Sequence, residues 1–341
     1  MSRSRETFAQ LEFHPWILRD VATVDTSTTI LDKHSALPFG LAPTGFTRMM
    51  HHTGEPAVAR AAGKAGIVHA LSTLGTTSAR DLAVAAPETN RWFQLYLPKD
   101  RGIASELLAG AVESGSSALV VTVDTVVPGV RLRDVRNGLS FPPALSLRTL
   151  GGMAIHPKWW FRMLTGDPLN FASLQGLEGS LPEILAKIWD PSLSLADIEW
   201  VRQQWTGPLV IKGIQRVDDV KFAFDLGADA VILSNHGGRQ LDRAVAPIRI
   251  LREAVESQGD RGEIYIDGGI TNGADVVACV ALGARLCFVG RAYLYGLMAG
   301  GQAGVERAIE ILAADVVRTM RLLGATSLAD LRPDMVSFIQ P

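Results

Sequence analysis

The stretch DAVILSNHGGRQ, residues 229–240, joins an apolar run to a group of polar and basic residues. The run AVIL has no polar alternation, which is typical of a strand covered on both faces and therefore of a parallel sheet. In α/β folds, binding and catalytic residues lie just beyond the carboxyl ends of such strands. We therefore expect the segment SNHGGRQ to form part of a functional site.

Seven further apolar runs precede segments with helical periodicity. The eight runs cover residues 38–45, 66–73, 91–97, 118–124, 208–213, 229–235, 263–269 and 285–291. Between them, segments such as SELLAGAVESG and GADVVACVALGA carry apolar residues three and four positions apart, as amphipathic helices do. Eight strands alternating with helices predict a single α/β domain over residues 1–341, a (β/α)8 TIM barrel that spans about 36–325. An open doubly wound sheet is the alternative fold.

A long insertion separates the fourth run from the fifth, over about residues 125–195. Loops of this length are usually lids, binding insertions or partner-contact segments. Because the insertion leaves the carboxyl end of a strand, we expect it to cover the face that carries the site. Its aromatic residues Trp159, Trp160 and Phe161 either pack within the insertion or contact a membrane interface.

Composition excludes several classes of protein. The chain has 33 Lys and Arg against 35 Asp and Glu, so it lacks the positive surplus of a nucleic-acid-binding protein. Its two cysteines, Cys279 and Cys287, form no CxxC or Cys/His cluster, so we predict no metal site and no disulfide. The first 20 residues lack the apolar core of a secretion signal, and no run is long enough to span a membrane. We expect a cytoplasmic protein or one bound peripherally at the inner face of the cell membrane.

Polar residues and glycines recur at the ends of the predicted strands, and in a barrel these ends meet at one mouth. They are Thr44, Gly45, Ser72, Gln94, Tyr96, Thr122, Asp124, Lys212, Ser234, His236, Asp267, Gly268, Gly269, Gly290 and Arg291. Hydroxyls, an amide, a lysine and an imidazole together form the lining expected for a large planar ligand with many hydrogen-bonding edges.

The last two predicted strands end in DGG (267–269) and VGR (289–291), and each leads into a helix. Barrels commonly bind phosphate at the loops after their final two strands, where backbone N–H groups and a helix N-terminus face the anion. The two glycine-rich ends, with Arg291 added, predict a phosphorylated cofactor. The alternative is that these turns need glycine only for steric reasons.

His236 is the candidate general base. Asp124, at the end of the fourth run, can hold one imidazole nitrogen and leave the other to accept a proton. Arg239 and Arg131 offer planar forks that suit a substrate carboxylate. A purely structural, hydrogen-bonded histidine is the alternative interpretation.

Nine short motifs, taken as an ordered set, carry a family resemblance over nearly the whole chain. They are LAPTG, LST, FQLY, TVDT, RLRDVRNG, VIKG, SNHGGRQLD, DGG and GRAYLYGL. Together they resemble the FMN-dependent α-hydroxy acid dehydrogenases and oxidases. The stretches HPKWWF and GRAYLYGLMAGGQAGVERAIEIL look most like the bacterial quinone-linked L-lactate dehydrogenases. The resemblance implies an FMN enzyme that oxidises an L-2-hydroxy acid, above all L-lactate to pyruvate, and passes electrons to quinone or another acceptor. It also implies a homo-oligomer and peripheral membrane contact through the insertion.

The resemblance also implies roles for the predicted site residues. His236 would be the base, Asp124 would orient it, and Lys212 would lie beside the flavin ring. The substrate would be held by Tyr96, Arg131 and Arg239. The flavin ring and ribityl chain would contact Thr44, Gly45, Ser72, Gln94, Thr122 and Ser234. The ribityl chain and phosphate would contact Asp267, Gly268, Gly269, Gly290 and Arg291.

The chain departs from the family pattern at two places. Thr271 stands where the family usually has an arginine, which would leave Arg291 with more of the phosphate charge to balance. No tyrosine precedes Ala36, whereas the family carries a substrate-binding tyrosine in an amino-terminal segment, so we expect a truncated chain or substrate binding that is weakened or supplied differently. The alternative functions are an oxidase that uses oxygen, a mandelate-type dehydrogenase, and a flavin-binding barrel that has lost activity.

Overall fold

The computed structural model describes residues 2–129, 136, 157–165, 169–174, 183 and 187–339. The strands are β1 (Leu11–Phe13), β2 (Thr28–Ile30), β3 (Lys33–Ser35), β4 (Phe39–Leu41), β5 (His69–Ser72), β6 (Arg91–Leu95), β7 (Ala118–Thr122), β8 (Leu209–Ile214), β9 (Ala230–Leu233), β10 (Glu263–Asp267), β11 (Leu286–Val289) and β12 (Val336–Phe338). The helices are α1 (Ser2–Phe8), α2 (Thr47–Met50), α3 (Gly54–Lys64), α4 (Ala79–Ala85), α5 (Arg101–Glu113), α6 (Pro157–Thr165), α7 (Leu195–Gln204), α8 (Val217–Asp225), α9 (Ile248–Gln258), α10 (Gly273–Ala281) and α11 (Arg291–Leu323).

Strands β4 to β11 form a closed parallel barrel in which each strand pairs with its neighbours in sequence. The barrel closes where β11 pairs with β4 and Val289 lies opposite Leu41. This confirms the predicted (β/α)8 fold, since seven of the eight apolar runs contain one barrel strand each and the run at 208–213 contains all of β8 except its last residue, Ile214. The carboxyl ends of all eight strands meet at one mouth, so residues distant in sequence come together there.

The apolar runs are continuous because each barrel strand is buried on both sides. Inside the barrel, the rings of Trp92, Tyr265 and Phe288 pack with centroids 5.5 to 6.3 Å apart. Ile30, from the hairpin that β2 and β3 form, is fully buried in the same interior cluster. The barrel interior is therefore packed with side chains, and a ligand-sized cavity lies at the carboxyl-end mouth.

Helix α1 packs against the loops that follow β9 and β10. The side-chain amide of Asn235 donates to Ser4 Oγ over 3.1 Å. A side-chain carbon placed on Gly269 would lie 3.0 Å from Ser4 Cβ and from the Phe8 ring. Sequence analysis assigned no structure to the first 35 residues, and these contacts over more than 200 positions leave no local signal in the sequence.

The insertion predicted at about 125–195 is described in part. Within it, α6 lies against the barrel mouth, where Trp159 Nε1 donates to the backbone oxygen of Met49 over 3.0 Å. Trp159 and Phe161 remain 38% and 59% exposed, so neither is buried within the insertion. The side chain of Trp160 lies outside the described residues. Helix α6 therefore presents aromatic side chains to the surface beside the mouth.

His69, the first residue of β5, is a buried titratable group away from the mouth, and its Nδ1 has no hydrogen-bond partner among the described residues. Burial, together with the nearby charge of Arg91, lowers the pKa of its imidazole to about 4. Between about pH 6.5 and pH 4 the unfolded chain therefore binds a proton that the folded chain does not. The free energy of unfolding should then fall as the pH drops through this window, by up to about 3 kcal/mol.

We predict that His69→Gln flattens this part of the pH profile, because glutamine has no proton to take up. Thermal unfolding of the flavin-loaded wild type and variant between pH 7 and pH 4 measures the effect. The variant should lose less of its melting temperature on acidification than the wild type does. Two parallel profiles would show that His69 does not contribute to acid sensitivity.

Candidate active site

A cavity of about 500 Å³ opens at the barrel mouth, and its walls bring together most of the predicted site residues. Those that line it are Thr44, Gly45, Ser72, Gln94, Tyr96, Thr122, Lys212, His236, Arg239, Asp267, Gly268, Gly269, Gly290 and Arg291. Asp124 and Ser234 lie behind the wall, where each contacts a residue that lines it. Arg131 lies outside the described residues.

The backbone of the loop after β9 determines where the His236 side chain lies. The loop after β9 enters the left-handed backbone region, with φ values of 55° at His236, 63° at Gly237 and 70° at Gly238. Glycine tolerates this conformation, whereas a histidine there carries strain that the surrounding contacts must offset. The backbone N–H of His236 donates to Ser234 Oγ over 3.0 Å. This turn directs the imidazole into the cavity.

The imidazole of His236 lies between Asp124 and Tyr96. Its Nδ1 is 3.0 Å from Asp124 Oδ1, and its Nε2 is 3.4 Å from the Tyr96 hydroxyl. Burial alone would raise the pKa of Asp124, but the His236 hydrogen bond and the charge of Lys212 outweigh burial, so the pKa of this carboxyl is lowered. An ionised Asp124 can only accept a hydrogen bond, so Nδ1 carries the proton and Nε2 presents a lone pair. Nε2 is therefore placed to act as a base.

The position of Asp124 depends on one glycine. Gly213 has a φ of 110°, and a side-chain carbon there would lie 2.7 Å from Asp124 Cβ. Any larger residue at 213 would push the carboxylate away from His236. The glycine of the motif VIKG therefore has a steric function in the site.

Lys212 is a buried cation that lines the cavity. Its side chain is 5% exposed, and its Nζ lies 2.7 Å from Asp267 Oδ2 and 2.7 Å from Ser234 Oγ. An ammonium group has three N–H donors, so these two contacts leave one donor for a ligand. A ligand edge that gains negative charge during a reaction would be stabilised beside Lys212.

The wall across β5, β6 and β7 carries a row of hydrogen bonds. Ser72 Oγ donates to Gln94 Oε1 over 3.0 Å, and Gln94 Nε2 donates to Thr122 Oγ1 over 3.0 Å. These bonds fix which way the Gln94 amide faces, so its second N–H is placed in a defined direction. Such a row suits the polar edge of a flat ring system.

The glycine-rich end of the cavity follows β10 and β11. Gly268 and Gly269 have φ values of 89° and 93°, which residues with side chains rarely adopt. Gly290 precedes Arg291, the first residue of α11, so backbone N–H groups of a helix start line this end. Asp267 Oδ1 is buried and has no hydrogen-bond partner in the described part of the chain, which leaves an acceptor for a ligand hydroxyl.

Sequence analysis missed two sets of site residues. An apolar wall completes the cavity and consists of Phe46, Met49, Met50, Leu74, Ile270, Leu294, Tyr295 and Met298. No signal distinguishes these residues from core residues of the same types. Asn235 was overlooked as well, although it lies inside SNHGGRQ. Its side chain accepts from the Gly238 backbone and donates to Val245 O and Ser4 Oγ, which fixes the catalytic loop.

The described residues contain no group of three or more His, Cys, Asp or Glu side chains that could hold a metal ion. Cys279 and Cys287 are buried and free.

The fold and the cavity define a class of protein, a (β/α)8 barrel whose mouth can hold a phosphorylated planar ligand beside a histidine. Comparison with known sequences identifies the family. The pattern of the FMN-dependent dehydrogenase family matches residues 1–338. The chain belongs to this family of FMN-dependent dehydrogenases, which confirms the expected FMN cofactor and the expected oxidoreductase class.

Relatives and solved structures agree with this assignment. The chain is 53% identical to the "Putative L-lactate dehydrogenase" of Mycobacterium tuberculosis, covering 99% of this chain and 81% of the relative. It is 40% identical to an L-lactate dehydrogenase of Caulobacter vibrioides, covering 99% and 89%. Among solved structures, the monotopic membrane protein (S)-mandelate dehydrogenase is 35% identical with a TM-score of 0.94, covering 99% and 90%. The flavin-binding domain of baker's yeast flavocytochrome b2 is 34% identical with a TM-score of 0.82, covering 98% and 78%.

The described residues fit FMN. The cavity volume lies within the range of small-molecule sites, roughly 300 to 1,000 Å³. The unpartnered oxygen of Asp267 suits a ribityl hydroxyl, and the remaining N–H of Lys212 suits an electron-rich ring edge. The turn at Gly268 and Gly269 and the start of α11 suit a phosphate.

We predict that Lys212→Met destabilises the fold, because it leaves the Asp267 carboxylate buried without its counter-charge. Breaking such a pair costs about 3 to 5 kcal/mol. Chemical denaturation measures the change, and the double variant K212M/D267N should recover much of the loss. Lys221→Met is the matched control, since its partner Asp225 is on the surface and little change is expected. Wild-type stability in Lys212→Met would show that the pair is not required.

Proposed function

We propose that this protein oxidises an L-2-hydroxy acid to the 2-oxo acid, with L-lactate as the preferred substrate and pyruvate as the product. The observation that carries the proposal is the His236 base, oriented by Asp124 and facing a cavity that fits FMN. The names of the relatives support L-lactate, at 53% and 40% identity. The structural likeness to (S)-mandelate dehydrogenase favours a bulkier, aromatic 2-hydroxy acid as the second candidate.

In the proposed reaction, Nε2 of His236 accepts a proton from the bound hydroxy acid. FMN, when bound, supplies the two-electron acceptor for the oxidation. Protonation of Nε2 makes the imidazole a cation, and the ionised Asp124 3.0 Å from Nδ1 stabilises that charge. Tyr96, 3.4 Å from the same nitrogen, can hold the substrate hydroxyl near the base. Asp124 itself stays out of the cavity and acts only through His236.

Cationic side chains hold the anionic parts of the reaction. Arg239 lines the cavity and is proposed to bind the substrate carboxylate, with Arg131 as its expected partner. Lys212 is proposed to stabilise negative charge that develops on the cofactor ring. The two cations therefore have different proposed roles. Arg239 acts on substrate binding, and Lys212 acts on the rate of the chemical step.

We propose quinone, or another apolar acceptor, as the destination of the electrons. The open rim of the cavity is apolar, with Tyr295 and Met298 exposed at 64% and 43%, and α6 presents Trp159 and Phe161 beside it. Among the residues described, no helix is long and apolar enough to span a membrane. Because α6 exposes Trp159 and Phe161, we propose that this helix makes peripheral contact with the inner face of the cell membrane, in a cytoplasmic protein.

We also propose that residues 1–341 form a single FMN-binding domain and that this domain assembles as a homo-oligomer. The closed barrel of β4 to β11 supports the single domain. Gel filtration with light scattering would test the assembly.

Anaerobic mixing with L-lactate tests the proposed reaction. The yellow flavin absorbance should bleach rapidly with L-lactate and slowly or not at all with D-lactate. Faster bleaching with (S)-mandelate than with L-lactate would establish the second candidate instead. An unchanged spectrum with all three acids would contradict an active dehydrogenase and favour a flavin-binding barrel without turnover.

Adding an electron acceptor to the bleached protein then distinguishes a dehydrogenase from an oxidase. After bleaching, a water-soluble quinone should return the colour much faster than air does. A rapid return in air would contradict the proposed acceptor and support the oxidase.

We predict that His236→Gln keeps its FMN but loses turnover. Removal of a general base typically costs about 10²- to 10⁴-fold in rate. Bound flavin is measured by absorbance and turnover by the anaerobic bleaching rate. His52→Gln is the matched control, because His52 is an exposed histidine that does not line the cavity. Wild-type turnover in a flavin-loaded His236→Gln protein would assign the base to another residue.

A further inference from the structure

Helix α1 forms the outer side of the glycine-rich end of the cavity. A side-chain carbon on Gly269 would meet Ser4 Cβ and the Phe8 ring at 3.0 Å, so the helix touches the turn after β10 directly. The next residue, Ile270, lines the cavity together with Gly268 and Gly269. Helix α1 is therefore in contact with the wall against which the FMN phosphate is expected to lie.

Arg5 extends from α1 toward the start of α10. Its guanidinium lies 3.3 Å from Asp275 Oδ2. The same carboxylate oxygen accepts hydrogen bonds from the backbone N–H of Thr271 over 2.8 Å and of Asn272 over 3.3 Å. One oxygen atom therefore connects Arg5 to the peptide of residue 271, which follows the cavity-lining Ile270.

Without Arg5, the negative charges of a bound phosphate and of Asp275 would exceed the positive charge at this end of the cavity. A phosphate monoester carries roughly −1.5 to −2 charge at pH 7. In the described part of the wall, Arg291 is the arginine that lines this end, since Arg239 follows β9 beside the base. Thr271 is uncharged, and its hydroxyl donates to Asp275 over 3.3 Å. The Asp275 carboxylate adds a negative charge close to the phosphate-binding turn.

Asp275 is mostly buried, and burial raises the pKa of its carboxyl against the hydrogen bonds from Thr271 and Asn272 and the charge of Arg5. A carboxylate in this position repels a phosphate unless a cation offsets it. Arg5 is that cation, since its guanidinium lies 3.3 Å from the Asp275 carboxylate, and it acts from outside the cavity wall.

We propose that Arg5 is a positioning residue for the FMN phosphate. Its guanidinium offsets the Asp275 carboxylate beside the turn that receives the phosphate, while Arg291 supplies the positive charge in the cavity wall. The inference rests on the proposed position of the phosphate at the Gly268–Ile270 end of the cavity. It makes the amino-terminal helix part of the cofactor site.

Riboflavin, which is FMN without the phosphate, provides the test. Flavin-free protein is titrated with FMN and with riboflavin, and the two dissociation constants are read from flavin fluorescence. Arg5→Gln should weaken FMN binding about tenfold, because the Asp275 carboxylate would then repel the phosphate without an offsetting cation, and should leave riboflavin binding within about twofold. The salt dependence of FMN binding should also become less steep.

Arg3→Gln is the matched control, because Arg3 is a neighbour on α1 whose guanidinium donates to the uncharged backbone oxygen of Arg243. Its ratio of FMN to riboflavin affinity should equal that of the wild type. In the Arg5→Gln background, Thr271→Arg should restore FMN affinity, since it returns a cation to the same turn. Rescue of this kind would not follow if Arg5 only anchored α1.

The inference is overturned if Arg5→Gln leaves the ratio of FMN affinity to riboflavin affinity unchanged. Equal weakening of FMN and riboflavin in Arg5→Gln would show that Arg5 only stabilises the fold. Arg291→Gln tests the position of the phosphate independently. If Arg291→Gln changes the affinity ratio and Arg5→Gln does not, the phosphate is placed correctly and Arg5 has no part in binding it. If neither changes the ratio, the proposed phosphate position is wrong as well.

Discussion

The site depends on one hydrogen bond, from His236 Nδ1 to Asp124 Oδ1 over 3.0 Å. The bond joins the loops after β7 and β9, which are not adjacent in the barrel because β8 lies between them. The absence of a side chain at Gly213, on β8, makes room for the carboxylate. Hydrogen bonds to Ser234 and Asn235 hold the strained turn at His236. Barrel closure, Gly213 and this polar network therefore together fix the position of the His236 imidazole.

A second buried pair complements the first. Lys212 and Asp267 lie 2.7 Å apart, and the charge of Lys212 helps to lower the pKa of Asp124. The site thus keeps an anion behind His236, the proposed base, and a cation beside the expected position of the cofactor ring. This distribution suits a reaction in which a proton moves to His236 while negative charge moves toward the cofactor. Removing either buried charge would disturb both pairs.

Much of the barrel and its polar mouth was predictable because both are encoded locally. Each strand is a short apolar run, and most site residues lie near or just beyond the carboxyl end of such a run, as Lys212 follows VI and Asp267 precedes GG. The position of α1 was not predictable, because the contact of Ser4 with Asn235 is decided by packing over more than 200 residues. The apolar wall, including Met49 and Met298, was missed because its composition is that of any core.

We propose that Asp124 acts on the reaction only through His236. A double-mutant cycle measures this dependence, with the rate of flavin reduction at saturating L-lactate determined for wild type, Asp124→Asn, His236→Gln and D124N/H236Q, all loaded with FMN. Asp124→Asn should slow reduction strongly in the wild-type background and hardly at all in the His236→Gln background. Equal effects in both backgrounds would show instead that Asp124 acts on the substrate or cofactor independently of His236.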